Sequence, residues 1–366
     1  MRGQTVRIVL AGGGTIGHVA PVLAVLDELR RIAQAERFTA ELFYIGRRQG
    51  VEQSIVEAAQ LPYFGISAGK LRRYADFQNL VDPFRVMVGF FESLALLIRL
   101  RPDVVFAKGG YVSLPVVIAA RVLRIPIVSH ETDSILGLSN RWAARVATTL
   151  CVSFPLASYA HQPVQASLVQ TGNPVRADFF GLRQTTKSTP PYTLVVFGGS
   201  QGSLSINRAL ESLIERPLPD CSIIHLTGPA HFANFAARAS TTYHPMSYTD
   251  HLADLLAQAD LVIARSGGSI FELAAAGRPA ILIPLSTSAN RHQQSNADYV
   301  AAHQAAVVID ESELSAAKLR STVKQLLDQP ARRRSLARQI HALAVPDAAT
   351  RVAQAILAVV PEGRRQ

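Results

Sequence analysis

The residues that could do chemistry fall beside glycine-rich loops. His18 closes the loop Ala11-Gly12-Gly13-Gly14-Thr15-Ile16-Gly17-His18, and imidazole can take a proton near neutral pH. The competing reading is a loop histidine that caps a backbone group. His130-Glu131 follows an apolar run, so Glu131 is either a site acid or a carboxylate that satisfies neighbouring N–H groups. Arg176, in Thr171-Gly172-Asn173-Pro174-Val175-Arg176, can meet phosphate charge, as can many surface arginines. Gln293 and Gln294 offer amides to sugar hydroxyls or to solvent. Glu272 follows Arg265-Ser266-Gly267-Gly268 on the first turns of a helix, where a carboxylate is favoured and can meet a ligand's hydroxyls. The glycines there leave backbone N–H groups unobstructed at a helix N-terminus, which suits a phosphate; the plainer alternative is a tight turn. No Asp-X-Asp occurs, so a nucleotide held through a carboxylate-bound metal has little support.

These residues need elements to hold them. Leu261 to Pro284 reads as a strand (Val262–Ala264), a glycine loop, a helix ending at Gly277, and a second strand (Ile281–Ile283) closed by Pro284. Asp103-Val-Val-Phe-Ala-Lys108 followed by Gly109-Gly110 echoes Asp260-Leu-Val-Ile-Ala-Arg265 followed by Gly267-Gly268. Val6–Leu10 with its glycine loop is likewise echoed by Leu194–Phe197 and Gly198-Gly199-Ser200-Gln201-Gly202. A helix is expected from Pro21 to Ala33, and the Leu42–Ile45 strand ends in Gly46-Arg47-Arg48 where a dinucleotide site would carry an acid. Strand, glycine and helix repeated twice in each half predict two Rossmann-like α/β domains with parallel sheets, facing each other with a ligand between the carboxyl ends of their strands. The expected divisions are an N-terminal domain over 1–180, a C-terminal domain over 191–345, and a terminal segment over 346–366 packing back on the first domain, with a polar, Pro-ended hinge at Gly181–Pro191.

The 366 residues suffice for two ordinary cores, and 48% hydrophobic with 17% charged residues describes a globular chain. A formal net charge of +10 points to an anionic partner. No basic run interleaved with aromatics appears, which sets nucleic acid below phosphorylated metabolites and an anionic membrane surface. Cys151 and Cys221 lack metal-ligand spacing and read as buried thiols of a reducing compartment. No apolar run reaches the roughly 18–20 residues of a spanning helix, and the N-terminal run is too short for a signal peptide.

The sequence resembles the MurG family of peptidoglycan glycosyltransferases. The resemblance is carried by Gly14-Thr15-Ile16-Gly17-His18-Val19-Ala20-Pro21, Gly109-Gly110-Tyr111-Val112-Ser113, and His130-Glu131 with Gly137-Leu138-Ser139-Asn140-Arg141-Trp142. It continues through Thr171–Arg176, Gly198–Gly202, Arg265-Ser266-Gly267, Gln293-Gln294 before Asn296-Ala297, and Pro346–Ala353, in order over nearly the whole chain. The resemblance implies a GT-B fold and inverting transfer of N-acetylglucosamine from UDP-GlcNAc to a lipid-linked muramyl-pentapeptide acceptor (lipid I to lipid II), without a cofactor or bound metal. It implies a peripheral enzyme at the cytoplasmic face of the membrane. Carried over by position, it gives His18 as the base, with Glu131 beside it as a second catalytic candidate. Thr15, Ile16, Gly17 and Asp133 fall at donor-binding positions. The backbone near Thr249 would meet uracil and Glu272 the ribose, while Ser200, Arg176, Gly268 and Ser269 would hold the diphosphate and Gln293 and Gln294 read the sugar.

Three positions depart from the family pattern. Ile16 replaces a glycine, Thr132-Asp133 stands where Gln-Asn is usual, and the segment 267–270 is one residue short before Glu272. The competing functions are a UDP-GlcNAc epimerase or other UDP-sugar transferase of the same fold, and a non-catalytic sugar-nucleotide-binding partner. For the membrane, Pro83–Leu100 reads as a helix preceded by Lys70, Arg72 and Arg73, with an apolar arc wider than one core contact requires. The resemblance places Phe84, Met87 and Phe90 on the membrane-facing patch; the alternative is burial of both faces.

Overall fold

The computed structural model describes residues 4–14, 16–50, 52–69, 78–182 and 187–361. The chain forms two compact units, residues 1–176 with 347–366, and residues 177–346. The second unit thus takes in the segment 177–182 and the Pro-ended stretch after it, while 183–186 lie outside the described residues.

In the first unit the strands are β1 (Thr5–Ala11), β2 (Thr39–Arg47), β3 (Tyr63–Ile66), β4 (Val104–Ala107), β5 (Ile127–Glu131), β6 (Thr149–Val152) and β7 (Ser167–Gln170). Its helices are α1 (Ile16–Glu36), α2 (Gln53–Ala58), α3 (Gln78–Leu100), α4 (Ser113–Val122) and α5 (Leu138–Val146). The sheet order is β3-β2-β1-β4-β5-β6-β7 and every pairing is parallel. Central strands such as β4 are buried along their length, which is why VVFA reads as an unbroken rather than an alternating run.

The second unit repeats the plan with β8 (Tyr192–Phe197), β9 (Cys221–Leu226), β10 (Tyr243–Met246), β11 (Leu261–Ala264), β12 (Ala280–Leu282) and β13 (Val307–Val308), in the parallel order β10-β9-β8-β11-β12-β13. Its helices are α6 (Leu204–Glu215), α7 (Phe232–Ala236), α8 (Leu252–Gln258), α9 (Ser269–Ala276), α10 (His292–Ala302), α11 (Ala316–Leu327) and α12 (Pro330–His341). α9 stops where Gly277 takes the left-handed conformation at φ 59°.

In each sheet the strand order reverses direction once, between β1 and β4 and between β8 and β11. Crevices open at such points outside the carboxyl ends of the strands. The echo in the sequence is the echo of these two strand pairs. Asp103, just before β4, accepts the Arg7 N–H through its carboxylate at 2.8 Å, while its own N–H donates to the Arg7 carbonyl at 2.8 Å. Asp260, just before β11, does the same with Thr193, at 2.8 and 2.9 Å. Both aspartates are buried, and each closes the ladder at the start of a switch-point pair.

The last helix, α13 (Ala348–Ala358), belongs to the first unit and lies along α1. Val352, Ala353, Ile356 and Leu357 join Val22, Val25, Leu26 and Leu29 in one core, and Thr350 Oγ1 donates to Glu28 Oε2 at 2.9 Å. Trp142, the chain's single tryptophan, lies in the same unit and reports its unfolding. Truncating the fully buried Ile356 to Ala should cost about 2–5 kcal/mol. A urea midpoint followed by Trp142 fluorescence should fall accordingly; an unchanged midpoint would show that the terminal helix contributes nothing to the unit.

Candidate functional site

At the β1–β4 switch point, the two glycine loops touch. α1 begins at Ile16, five residues before the expected start at Pro21, so His18 lies in its first turn. Pro21 sits inside the helix, where it has no N–H to give the Gly17 carbonyl. Gly110, at φ 77°, faces the His18 ring: a Cβ there would come within 3.2 Å of Cδ2 and 2.6 Å of the Gly13 carbonyl oxygen. Only glycine permits both the backbone conformation and that approach. His18 is half-buried and Gly17 exposed. Thr15 lies outside the described residues, as does the Ile16 side chain.

Glu52 was not singled out from the sequence, yet it holds this loop from beneath. The residue is fully buried; Oε1 accepts the Arg47 N–H at 2.9 Å and Oε2 accepts the Gly14 N–H at 3.4 Å. On the other side of the loop, the Tyr111 ring lies against Gly14, where a Cβ would meet Cε1 at 2.3 Å. The Gly13-Gly14 segment that leads to His18 is therefore clamped between a carboxylate and an aromatic ring.

Glu131, named as a second catalytic candidate, is buried and fully engaged. Oε1 accepts the Asp133 N–H at 3.0 Å, and Oε2 accepts Gly137 N–H at 2.8 Å and Asn140 Nδ2 at 3.0 Å. Burial and the nearby Asp133 charge push its pKa up, against these hydrogen bonds. The geometry favours the loop-organising reading of Glu131: it ties the end of β5 to the start of α5. His130 beside it bonds the Gly172 carbonyl through Nε2 at 3.0 Å, and burial holds the ring neutral, well below the usual histidine range. Asp133 is half-buried, with its carbonyl accepting the Tyr159 hydroxyl at 2.8 Å. Arg176 is half-buried and is the last residue of the first unit's main span.

At the β8–β11 switch point, Ser200 sits half-buried in a loop turned by Gly199 and Gly202, at φ 88° and 75°. Gly202 lies against the Thr227 carbonyl, where a Cβ would stand 2.0 Å from the oxygen. That carbonyl accepts Asn207 Nδ2 at 2.9 Å. Asn207 Oδ1 can only accept, so His225 Nε2 carries the proton of their 3.0 Å bond and Nδ1 accepts the Tyr243 hydroxyl at 2.9 Å. Burial lowers the His225 pKa to about 4, so the ring stays neutral and this tautomer is kept through the physiological range.

Across from that loop, Gly267, Gly268 and Ser269 form the half-buried start of α9, with Glu272 half-buried on its first turn. Gln293 comes to the same place: Oε1 accepts the Leu285 N–H at 2.9 Å, its carbonyl accepts Ser266 Oγ at 2.7 Å, and Nε2 is 3.7 Å from where a Gly267 Cβ would be. Gln294 turns elsewhere, its amide donating to Asp298 and Asp310 at 3.0 Å each. Thr249 is half-buried in the loop after β10, its hydroxyl accepting the His251 N–H at 3.0 Å. Among these, the structure brings Ser200, Gly268, Ser269 and Gln293 to the two switch-point loops, and it directs the Gln294 amide to two carboxylates.

Arg265 joins the loops. Its guanidinium donates to the Ile283 carbonyl at 3.1 Å, to Ser203 and Ser205 hydroxyls at 2.7 and 2.9 Å, and to Glu311 Oε1 at 2.6 Å. Glu311 also accepts the Ser286 N–H and hydroxyl, at 2.9 and 2.6 Å. Against the cost of burial, these hydrogen bonds from Ser205, Ser286 and Arg265 pull its pKa down to about 2. A carboxyl whose folded pKa lies below its ordinary 4.5 stabilises the fold above that value, and the contribution fades as pH falls toward 2. Glu311→Gln should therefore lose roughly 1–3 kcal/mol at pH 7. The gap from the parent, read from urea midpoints, should narrow as the pH drops below 4.5; a constant gap would exclude a charged Glu311 as the cause.

On α3, Phe84, Met87 and Phe91 are 64%, 51% and 60% exposed, with Val88 and Ile98 also exposed. Phe90, expected on the exposed patch, is instead partly buried against the core beneath α3 and α4. The correction is one of rotation: packing on α4 turns Phe90 inward and leaves its neighbour Phe91 outside. Lys70, Arg72 and Arg73 lie outside the described residues, and no described helix is long and apolar enough to cross a membrane. Both cysteines are free and buried; burial pushes Cys151 up to about 12 and Cys221 up to about 11. No group of three or more His, Cys, Asp or Glu suited to a metal occurs among the described residues.

The geometry has close relatives. Residues 8–152 match the glycosyltransferase family 28 N-terminal domain and residues 193–352 the glycosyltransferase family 28 C-terminal domain. A Lachnospira eligens protein described as UDP-N-acetylglucosamine–N-acetylmuramyl-(pentapeptide) pyrophosphoryl-undecaprenol N-acetylglucosamine transferase is 38% identical, over 87% of this chain and 90% of its own. In fold, the chain is similar to Acinetobacter baumannii MurG, with a TM-score of 0.74 at 24% identity over 97% and 99% of the two chains. It is also similar to a Neisseria meningitidis UDP-GlcNAc 2-epimerase, with a TM-score of 0.67 at 11% identity over 97% and 100%. Both likenesses establish the fold, a pair of Rossmann-like domains of GT-B type. The two matched domains and the 38% identity go further: the chain belongs to the MurG family, within glycosyltransferase family 28.

Proposed function

We propose that this chain transfers N-acetylglucosamine from UDP-GlcNAc to the muramyl sugar of an undecaprenyl-pyrophosphoryl-MurNAc-pentapeptide. The observation that carries this reading is the 38% identity, spread over 87% of the chain, to a transferase described by that reaction. The epimerase likeness rests on fold at 11% identity, and fold is shared by many chemistries. Purified enzyme should move labelled GlcNAc from UDP-GlcNAc to lipid I. Turnover of UDP-GlcNAc without acceptor, giving a 2-epimer, would overturn the reading.

In the transfer, the acceptor hydroxyl oxygen bonds to the anomeric carbon as the bond to the UDP oxygen breaks. UDP leaves with that electron pair, and the hydroxyl proton must go to a base. His18, carried on the first turn of α1 against Gly110, is our candidate, with Glu131 holding the neighbouring loop. Developing charge on the diphosphate is met by the Ser200 loop, the Gly268-Ser269 helix start and Arg176. Glu272 takes the ribose hydroxyls, the backbone near Thr249 the uracil, and Gln293 the sugar, with Gln294 as its neighbour. Thr15, Ile16, Gly17 and Asp133 are the first unit's own donor-binding candidates. His18→Ala should lower kcat by about 10²–10⁴ with donor KM nearly unchanged. Glu272→Ala should instead raise donor KM about ten- to a hundredfold with kcat nearly intact. Steady-state kinetics that gave both variants the same pattern would contradict this division.

The acceptor lies in a membrane, and the exposed face of α3 is where we place the contact, with the protein peripheral on the cytoplasmic side. Phe84, Met87 and Phe91 supply apolar area, and the net charge of +10 favours anionic lipid. Met87→Asp with Phe91→Asp should weaken cosedimentation with anionic vesicles while leaving thermal stability near the parent. Phe90→Asp should do the reverse and destabilise the first unit, since that ring packs inward. Unchanged vesicle binding in the double variant would move the contact elsewhere.

A further inference from the structure

In the first unit, the glycines that lead to His18 make room for the chain's own side chains. A Cβ on Gly13 would collide with Glu52 Oε1, and one on Gly14 with the Tyr111 ring. Gly50 serves the same carboxylate, since a Cβ there would stand 2.5 Å from Glu52 Oε1. In the second unit the corresponding loop is open: a Cβ on Gly199, at φ 88°, would meet nothing within 4 Å among the described residues. Both loops follow the first strand of a switch-point pair, where backbone N–H groups gather and an anion is favoured. The first loop already has its anion. Glu52, fully buried just before α2, takes the Arg47 N–H on one oxygen at 2.9 Å and the Gly14 N–H on the other at 3.4 Å.

We propose that Glu52 is a built-in anion that fills the first glycine loop, so that this loop takes no phosphate and instead fixes the position of His18. Glu52 touches no reacting atom in this arrangement; it is a positioning residue acting through Gly14. The Gly13 carbonyl and the His18 ring both border Gly110, where a Cβ would stand 2.6 Å from the oxygen and 3.2 Å from the ring. A shift of Gly13 and Gly14 therefore moves the wall on which the ring rests. The inference rests on the reading of His18 as the base. Each carboxylate oxygen accepts one of the two N–H groups, whereas a glutamine amide has a single acceptor oxygen. Glu52→Gln thus keeps the volume but turns its own N–H toward either Gly14 or Arg47, and one tether is lost.

A double-mutant cycle on kcat tests this. Glu52→Gln should lower kcat about ten- to a hundredfold, the cost of a reacting group misplaced by about 1 Å, and leave donor KM within about twofold. In the His18→Ala background the same substitution should change kcat by less than about twofold. Equal losses in the two backgrounds would overturn the proposal, because a carboxylate that merely supports the fold does not need His18. Should Glu52→Gln fail to fold, the parent enzyme decides it. Inorganic pyrophosphate should leave amide exchange across residues 12–14 at its free rate; slower exchange there would put a ligand anion in the loop and overturn the proposal. A His18→Ala variant that kept the parent's kcat would instead refute the base reading, and with it the positioning role.

Discussion

Both units depend on one buried hydrogen-bonded pin, an aspartate just before the second strand of the switch-point pair. Asp103 and Asp260 each exchange two bonds with the backbone of the preceding strand, at Arg7 and Thr193. A buried carboxylate without donors would be costly, so the pin fixes the start of β4 against β1 and of β11 against β8. With the starts aligned and the strands only four to seven residues long, the carboxyl ends are aligned too. That alignment delivers Gly13 to Gly110 in one unit and Ser203 to Arg265 in the other. The glycine loops are useful only because the strands beneath them cannot slide.

The two loop pairs are stiffened by different chemistry. In the first unit the clamps are carboxylates, with Glu52 under Gly14 and Glu131 under the loop after β5. In the second the clamp is an ion pair, Arg265 with Glu311, whose guanidinium also spans Ser203, Ser205 and Ile283, and a neutral His225 fixes Asn207 behind the Ser200 loop.

Much of this was legible in the residues. Turn glycines, apolar strand runs and the Asp-to-Gly-Gly echo are local signals, and they located both switch points without any tertiary information. The side chains that hold the loops were not legible, because their partners are distant in sequence. Glu52 meets Gly14 across 38 residues and Glu311 meets Arg265 across 46. Nothing in a run of sequence distinguishes such a glutamate from a solvated one. On α3 the wheel set Phe84 and Phe91 on one stripe with Phe90 nearly opposite, but its apolar arc was too wide to say which face is buried. The resemblance chose Phe90 for the outside, and packing on α4 turns Phe90 in and leaves Phe91 out. For α1 the prior expectation that proline opens a helix misplaced its start, and with it the position of His18.

The claim on which the account turns is that the second unit's switch-point loops, and not the first unit's, receive the donor's diphosphate. Amide hydrogen exchange with and without UDP tests it most directly. UDP should slow exchange across Gly199–Ser203 and Gly267–Phe271 while leaving Gly12–Gly14 and Gly109–Gly110 near their free rates. Protection confined to the first unit's loops, or none at either pair, would contradict it.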